Sequence, residues 1–125
     1  MMRTGLLVAA ALLTATAAAH SFLGERYILT RLFRRDNLPR LFGSDWFTKR
    51  TLRFAWHLTS VAWLGFAALL VLGAEGVIPS STALLRVIAA TFFLSAIIAG
   101  LASRGKHLSW PVFLAIALLT WLAGS

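Results

Sequence analysis

The sequence predicts an all-α fold, a four-helix transmembrane bundle, and three observations support that prediction. Four apolar stretches, at residues 6–23, 54–72, 82–102 and 108–123, fill most of the 125-residue chain. Each approaches the roughly 20 residues that a helix needs to cross a bilayer. Hydrophobic residues make up 59% of the chain and charged residues only 13%, against about 25% charged residues in soluble domains. We therefore expect a single integral membrane domain covering residues 1–125.

The first stretch begins with features of a secretory signal. Arg3 precedes the apolar run, and the three alanines at positions 17–19 resemble a cleavage site. The run continues to Leu23, which is longer than the usual apolar core of a signal. We therefore expect it to be retained as the first span.

Residues 24–53 form a basic loop after this span. Ile28, Leu29, Leu32 and Phe33 recur at helical spacing with arginines between them, a pattern typical of an amphipathic helix. We expect this segment to lie in the membrane interface with its arginines toward lipid phosphates. The side chains predicted to contact lipid in this loop are Arg31, Arg34, Arg35, Lys49 and Arg50.

The remaining spans follow through short connections, which make neighbours in sequence neighbours in space. Small side chains recur every four residues on the third span, at Ser95, Ala99 and Ser103, and such faces allow close approach of helices. The first span repeats the pattern with three alanines, at positions 11, 15 and 19. Because four short helices enclose little interior, we expect a homodimer or a membrane-protein partner.

The basic residues predict the orientation. Ten of the twelve lie in the loop 24–53 or between the third and fourth spans, and only Arg3 and Arg86 lie on the other side. Since short basic loops stay cytoplasmic, both termini are predicted to face outward (N-out, C-out), in a bacterial inner membrane. The net charge of +8 then favours anionic lipid head groups rather than nucleic acid as the partner.

Two kinds of chemistry are disfavoured by composition. The chain has no cysteine, so disulfides and thiolate metal sites are excluded. The centres of the spans carry no acidic or basic residue and no histidine. Such residues mark ion and proton pathways in membranes, so a proton-coupled pump is disfavoured.

Three histidines, His20, His57 and His107, lie near the same ends of three spans. A helix rises about 1.5 Å per residue, so all three are predicted to reach one leaflet level. Imidazoles with a carboxylate suit a divalent metal, and two imidazoles suit haem. A second interpretation is acid–base catalysis on a lipid head group, with arginines on its phosphate. A third is that the histidines only donate hydrogen bonds to loop carbonyls or lipid phosphates. The polar cluster predicted at this level comprises His20, Glu25, Arg26, Asp36, Arg53, His57, Arg104, Lys106 and His107.

One span carries a resemblance. The residues from His57 to Gly65, with the pattern His-x5-Trp-x-Gly, resemble a helix of copper-resistance CopD-type membrane domains. The resemblance covers one span and three positions. It implies that His57 is a metal or haem ligand and that Gly65 allows close helix packing.

Three functional hypotheses follow from these observations. The first is a non-enzymatic accessory protein whose basic loop engages anionic lipids or a partner. The second is a metal- or haem-binding membrane protein that uses the three histidines. The third is a small enzyme or carrier for a phosphorylated lipid at the inner leaflet.

Overall fold

The computed structural model describes residues 2–76 and 80–125, and they are helical for most of their length. Helix α1 covers Met2–Leu23 and continues without a break through a π-helical segment, Gly24–Leu29, and a last turn, Thr30–Leu32. Helices α2, α3 and α4 cover Trp46–Ala74, Ser81–Ala102 and Ser109–Ala123. No β-strand occurs in the described part of the chain. The predicted all-α fold is confirmed.

Three of these helices are long and apolar enough to cross a membrane: α1 with its continuation to Leu32, α2 and α3. Within their apolar windows only 11%, 22% and 22% of the residues are buried inside the protein, so their apolar surface faces outward, as in a membrane protein. Helix α4 is apolar but has 15 residues, fewer than a full crossing needs. A fourth crossing therefore stays a prediction.

The helices pack in chain order as an antiparallel row. Helix α1 packs on α2, α2 on α3 and α3 on α4. Arg3 at the start of α1 lies 3.1 Å from Glu75 beyond the end of α2, and the Arg86 guanidinium lies 3.4 Å above the Trp121 ring of α4. Within residues 2–76 and 80–125, α1 does not pack on α3 or α4. The bundle is therefore open rather than closed around one core.

Small side chains form the contacts between the helices. Ser95, Ala99 and Ser103 are buried, as the four-residue spacing predicted. On α1 the alanines at 11, 15 and 19 are exposed, so their close approach to another helix stays a prediction, and Ala10 and Ala17 are buried instead. Residues seven apart share a helix face, and this face of α1 meets α2.

Two turns bring polar residues to one end of the row, which we call the loop end (residues 20–57 and 100–110). Phe42 and Gly43 both have positive φ, 57° and 89°, which forms a tight reversal between Leu41 and Ser44. Arg104, at φ 51°, takes the left-handed conformation after α3, and the Gly105 N–H donates to the Gly100 carbonyl at 2.8 Å, a Schellman-type ending. The connection between α2 and α3 includes residues 77–79, which lie outside the described residues.

The segment predicted to be an amphipathic interfacial helix is the continuation of α1. Leu29 within it is only 2% exposed, while Arg31, Arg34 and Arg35 are exposed. It is thus helical as far as Leu32 and not separated from the first span. Its position in a membrane interface stays a prediction.

Candidate functional site

Five polar side chains form a continuous chain between α1 and α2 at the loop end. Arg53 Nη2 lies 2.9 Å from Glu25 Oε1, and Glu25 Oε2 lies 3.1 Å from His57 Nε2. His57 Nδ1 is 2.9 Å from Ser21 Oγ, and Ser21 Oγ is 2.7 Å from Ser60 Oγ. The chain leads from the half-exposed charges of Arg53 and Glu25 to the buried hydroxyl of Ser60.

Helix periodicity explains why these five residues meet. Ser21 and Glu25 are four residues apart on α1, and Arg53, His57 and Ser60 are four and three residues apart on α2. Side chains at these spacings share one helix face. Each helix therefore presents a short polar stripe, and the antiparallel packing of α1 on α2 places the two stripes against each other.

The Ser21 hydroxyl links the imidazole to Ser60. It has one hydrogen to donate and two lone pairs that accept. Where it donates to Ser60 Oγ it accepts from His57 Nδ1, and where it donates to Nδ1 it accepts from Ser60. The two hydroxyls therefore fit either tautomer of the His57 ring.

The carboxylate–imidazole–hydroxyl order of Glu25, His57 and Ser21 is also that of serine hydrolase triads. Such enzymes further require donors for the oxyanion that forms on the substrate. Ser21 lies inside an α-helix, where backbone N–H groups are engaged in the helix. The geometry therefore supplies an acid–base chain but not an oxyanion site built from the backbone around Ser21.

His20 belongs to a separate aromatic contact. Its ring stacks on Trp56 with centroids 4.5 Å apart and planes 1° from parallel, and Trp63 tilts against it at 5.0 Å. Trp56 Nε1 donates to the His20 carbonyl at 2.9 Å, and His20 Nε2 lies 3.2 Å from the Trp56 carbonyl. Gly24 leaves room for this indole, because a Cβ there would overlap the ring. The π-helical segment begins at this glycine, and such segments are frequent at functional sites.

His107 lies apart from both, at the connection between α3 and α4. Its Nδ1 is 2.8 Å from Ser109 Oγ. Its ring stacks on Phe47 at 5.6 Å and meets the edge of Phe54 at 5.0 Å. These contacts attach the α3–α4 connection to the first turns of α2.

The three histidines predicted as a ligand set are therefore not brought together. His20 contacts Trp56, His57 joins the Glu25–Ser21 chain, and His107 contacts Ser109. Across residues 2–76 and 80–125, no group of three or more histidine or acidic side chains is placed to hold one metal ion. The helical rise predicted only the height of each histidine along its helix. The direction of each ring depends on the rotation of the helix about its axis, and it gives the three rings different partners.

A second cluster, which we call the cationic cluster, surrounds Trp46 at the start of α2. The guanidinium carbons of Arg50 and Arg104 each lie 5.6 Å from the Trp46 ring centroid, and Lys106 Nζ lies 4.9 Å from it. The open cavity of about 440 Å³ beside this ring is lined by Leu41, Phe42, Ser44, Trp46, Phe47 and Lys106. Arg104 and Lys106 were predicted in the polar cluster, but they lie here rather than with His57.

Carboxylates do not neutralise this cluster. Asp45 lies 2.7 Å from Lys49, and this hydrogen bond holds the pKa of the Asp45 carboxyl below its ordinary value. The other ion pairs of the described residues are Glu25 with Arg53 and His57, and Glu75 with Arg3. In the part of the chain that the structure describes, Arg50, Arg104 and Lys106 thus have no carboxylate within ion-pair distance.

The other predicted residues of the loop point elsewhere. Arg26 and Arg31 flank the Tyr27 ring, with guanidinium carbons 5.5 and 6.0 Å from its centroid. Asp36 is exposed, as are Arg34 and Arg35. Of the nine residues in the predicted polar cluster, the structure joins Glu25, Arg53 and His57 directly.

Sequence reasoning did not include Ser21, Ser60 or Trp46 among the residues of the site, and it expected Trp46 only as an apolar anchor of the loop. A signal for the serines was present, because Ser21 and Ser60 continue the polar stripes of Glu25 and His57 at helical spacing. No sequence pattern indicated that cations surround Trp46. Its three cations come from α2 and from a connection more than fifty residues later.

Comparisons with known proteins assign no family to this chain. Neither family models, curated proteins nor solved structures gave a match. The resemblance of the second span to CopD-type domains therefore stays a prediction. Gly65 does lie at a close contact of α2 with α3, since a Cβ there would lie 2.6 Å from Thr91 Oγ1.

Proposed function

We propose that this membrane protein is a non-enzymatic accessory protein whose loop end binds the phosphate groups of anionic lipids. The observation that carries the proposal is the cationic cluster: three cations around Trp46 without a carboxylate partner in the described residues. The three cations contact one ring and lack an anion, and a lipid phosphate supplies that anion and accepts their hydrogen bonds.

The surroundings of the cluster fit a membrane surface. Phe42 is 90% exposed at the tip of the turn and Leu41 46% exposed beside it, and Trp46 lines the cavity next to them. Aromatic and apolar side chains beside cations are typical of segments anchored at the lipid head groups. This agrees with the proposed orientation, in which the loop end faces the cytoplasm of a bacterial cell and its anionic lipids.

Lipid retention tests the proposal. The purified protein is exposed to equal amounts of phosphatidylglycerol and phosphatidylcholine, and bound lipid is counted by native mass spectrometry. The site variant is Arg50→Gln, Arg104→Gln and Lys106→Gln together. The control variant removes the same charge from Arg31, Arg34 and Arg35, each changed to Gln. The amphipathic pattern predicts that these three arginines contact lipid, so the experiment compares the two sets of cations directly.

We expect the native protein and the control to retain phosphatidylglycerol in preference to phosphatidylcholine, and the site variant to lose that preference. An equal loss in both variants would mean that net charge, not the cationic cluster, selects the lipid. A site variant that still prefers phosphatidylglycerol would contradict the proposal.

The chain formed by Glu25, His57 and Ser21 favours a second candidate, acid–base chemistry on a phosphorylated lipid at the same end. Its test is release of free fatty acid or head group from phosphatidylglycerol vesicles by the purified protein. His57→Gln abolishes that release if the chain is catalytic, and a native protein that releases nothing contradicts this candidate.

A further inference from the structure

An apolar groove runs between α2 and α3 on the surface that faces away from the protein interior. Its volume is about 310 Å³, at the lower end of the range for ligand clefts. The side chains that form most of its walls are Leu58, Ala62, Phe66, Leu69, Val87 and Phe92. Phe113 of α4 reaches the same groove, packed against the ring of Phe92 at 5.7 Å.

Small residues on α2 leave the space of this groove open. Ala62 is exposed in its wall, and Gly65 has no side chain where α2 meets Thr91 of α3. A larger residue at either position would project into the groove or against α3. The groove is thus a consequence of the same small residues that let the helices approach.

The hydroxyl groups in the groove are already bonded to the helix that carries them. Thr91 Oγ1 donates to the Val87 carbonyl at 2.8 Å, and Ser95 Oγ donates to the Thr91 carbonyl at 2.8 Å. Their hydrogens are therefore not offered to a ligand. A chain of methylene groups, which needs no hydrogen bond, matches such a surface.

The cationic cluster lies beyond one end of the two helices that wall the groove. Arg50 lies about 12 Å before Leu58 along α2, from the rise of about 1.5 Å per residue. Helix α3 ends at Ala102, about 11 Å beyond Ser95, and Arg104 and Lys106 follow in the connection after it. Cations at one end and an apolar channel along the same helix pair complement a molecule with an anionic head and an extended hydrocarbon tail.

We infer that the groove holds one acyl chain of the anionic phospholipid whose phosphate the cationic cluster binds. This inference rests on the proposed function and makes it more specific. The site then selects long-chain phospholipid anions over short-chain analogues with the same head group.

The experiment compares two ligands that share a head group. Long-chain phosphatidylglycerol and dihexanoyl phosphatidylglycerol are titrated separately against the protein in phosphatidylcholine nanodiscs, and apparent Kd values are compared. Ala62→Trp fills the groove. Ala68→Trp is the matched control, because Ala68 is an exposed alanine of the same helix and is absent from the groove walls.

We expect the native protein and Ala68→Trp to bind the long-chain lipid about tenfold more tightly than the short-chain one, from the dispersion contacts of a seated chain. Ala62→Trp removes this difference and leaves the short-chain affinity unchanged. Ala62→Leu fills less of the groove and is expected to show an intermediate difference, which provides the test if the tryptophan variant does not fold.

Failure of this inference is distinguishable from failure of the proposed function. If Ala62→Trp and Ala62→Leu keep the full long-chain preference while the Arg50, Arg104 and Lys106 variant binds both lipids weakly, the groove is not the chain site and head-group binding stands. If the triple variant binds both lipids as the native protein does, the proposed function and this inference are both wrong.

Discussion

Replacing Gly24 by alanine is expected to destabilise the contact between α1 and α2. A Cβ at this position would overlap Trp56 Nε1 and would lie 2.5 Å from Cε2 and 2.7 Å from Cζ2 of the ring. Favourable contacts between carbon atoms need about 3.5–4.0 Å, so the indole must move by about 1 Å. Trp56 is restrained there by its hydrogen bond to the His20 carbonyl and by the stacked His20 ring.

The magnitude combines three effects. Overpacking costs about 1–3 kcal/mol, and loss of the Trp56 hydrogen bond costs about 1 kcal/mol. The higher helix propensity of alanine returns about 1 kcal/mol. We therefore expect Gly24→Ala to lower the free energy of unfolding by about 1–3 kcal/mol.

The assay is unfolding of the detergent-solubilised protein by SDS titration, followed by circular dichroism. Gly5→Ala is the control, because nothing lies within 4 Å of a Cβ at Gly5, and it should leave stability equal or slightly raised. In a Trp56→Phe background the cost of Gly24→Ala should shrink, since the smaller ring leaves room. Equal stability of the Gly24→Ala and Gly5→Ala variants would refute the reasoning.

Two further predictions are checked by the same SDS titration, and a third is checked by NMR. Gly65→Ala is expected to cost about 1–2 kcal/mol, because its Cβ would lie 2.6 Å from Thr91 Oγ1, and a neutral result would contradict the close approach of α2 and α3. Glu25→Gln removes the anion beside the Arg53 guanidinium and the His57 imidazole. We expect it to lower the free energy of unfolding by only about 1 kcal/mol, because the Arg53 and Glu25 side chains are each over a third exposed. Unchanged stability would show that this ion pair contributes nothing. Lys49 lowers the pKa of Asp45, so the stabilisation from this pair is complete above the ordinary carboxyl pKa and is lost as the pH falls through the lowered value. In an NMR titration Lys49→Met should raise the Asp45 pKa, and an unchanged titration would refute that cause.

The apolar helices could be predicted from composition, but some of their boundaries could not. The second span was predicted to begin at residue 54, whereas α2 begins at Trp46. Residues 46–53 include Thr48, Lys49 and Arg50, so hydropathy places them in a loop. They nevertheless continue the helix, because a helix that leaves an apolar environment needs no change of backbone geometry.

Part of the candidate site was also predictable. Helical rise placed His57 and Glu25 near one level, and the structure joins them directly. The rise also placed His107 near that level, where it contacts Phe47 and Ser109 instead. Level along an axis follows from residue number, whereas the direction of a side chain also depends on which helix lies beside it.

By itself the sequence determined the helical, apolar character of the chain and the concentration of ten of its twelve basic residues at one end. These properties depend on local composition and on the period of the helix. Only the tertiary structure decided that Ser21 and Ser60 complete the chain through His57, and that Trp46 is surrounded by cations from two distant segments. Those contacts depend on the rotation of each helix about its axis, which packing between small side chains establishes and which no single helix specifies.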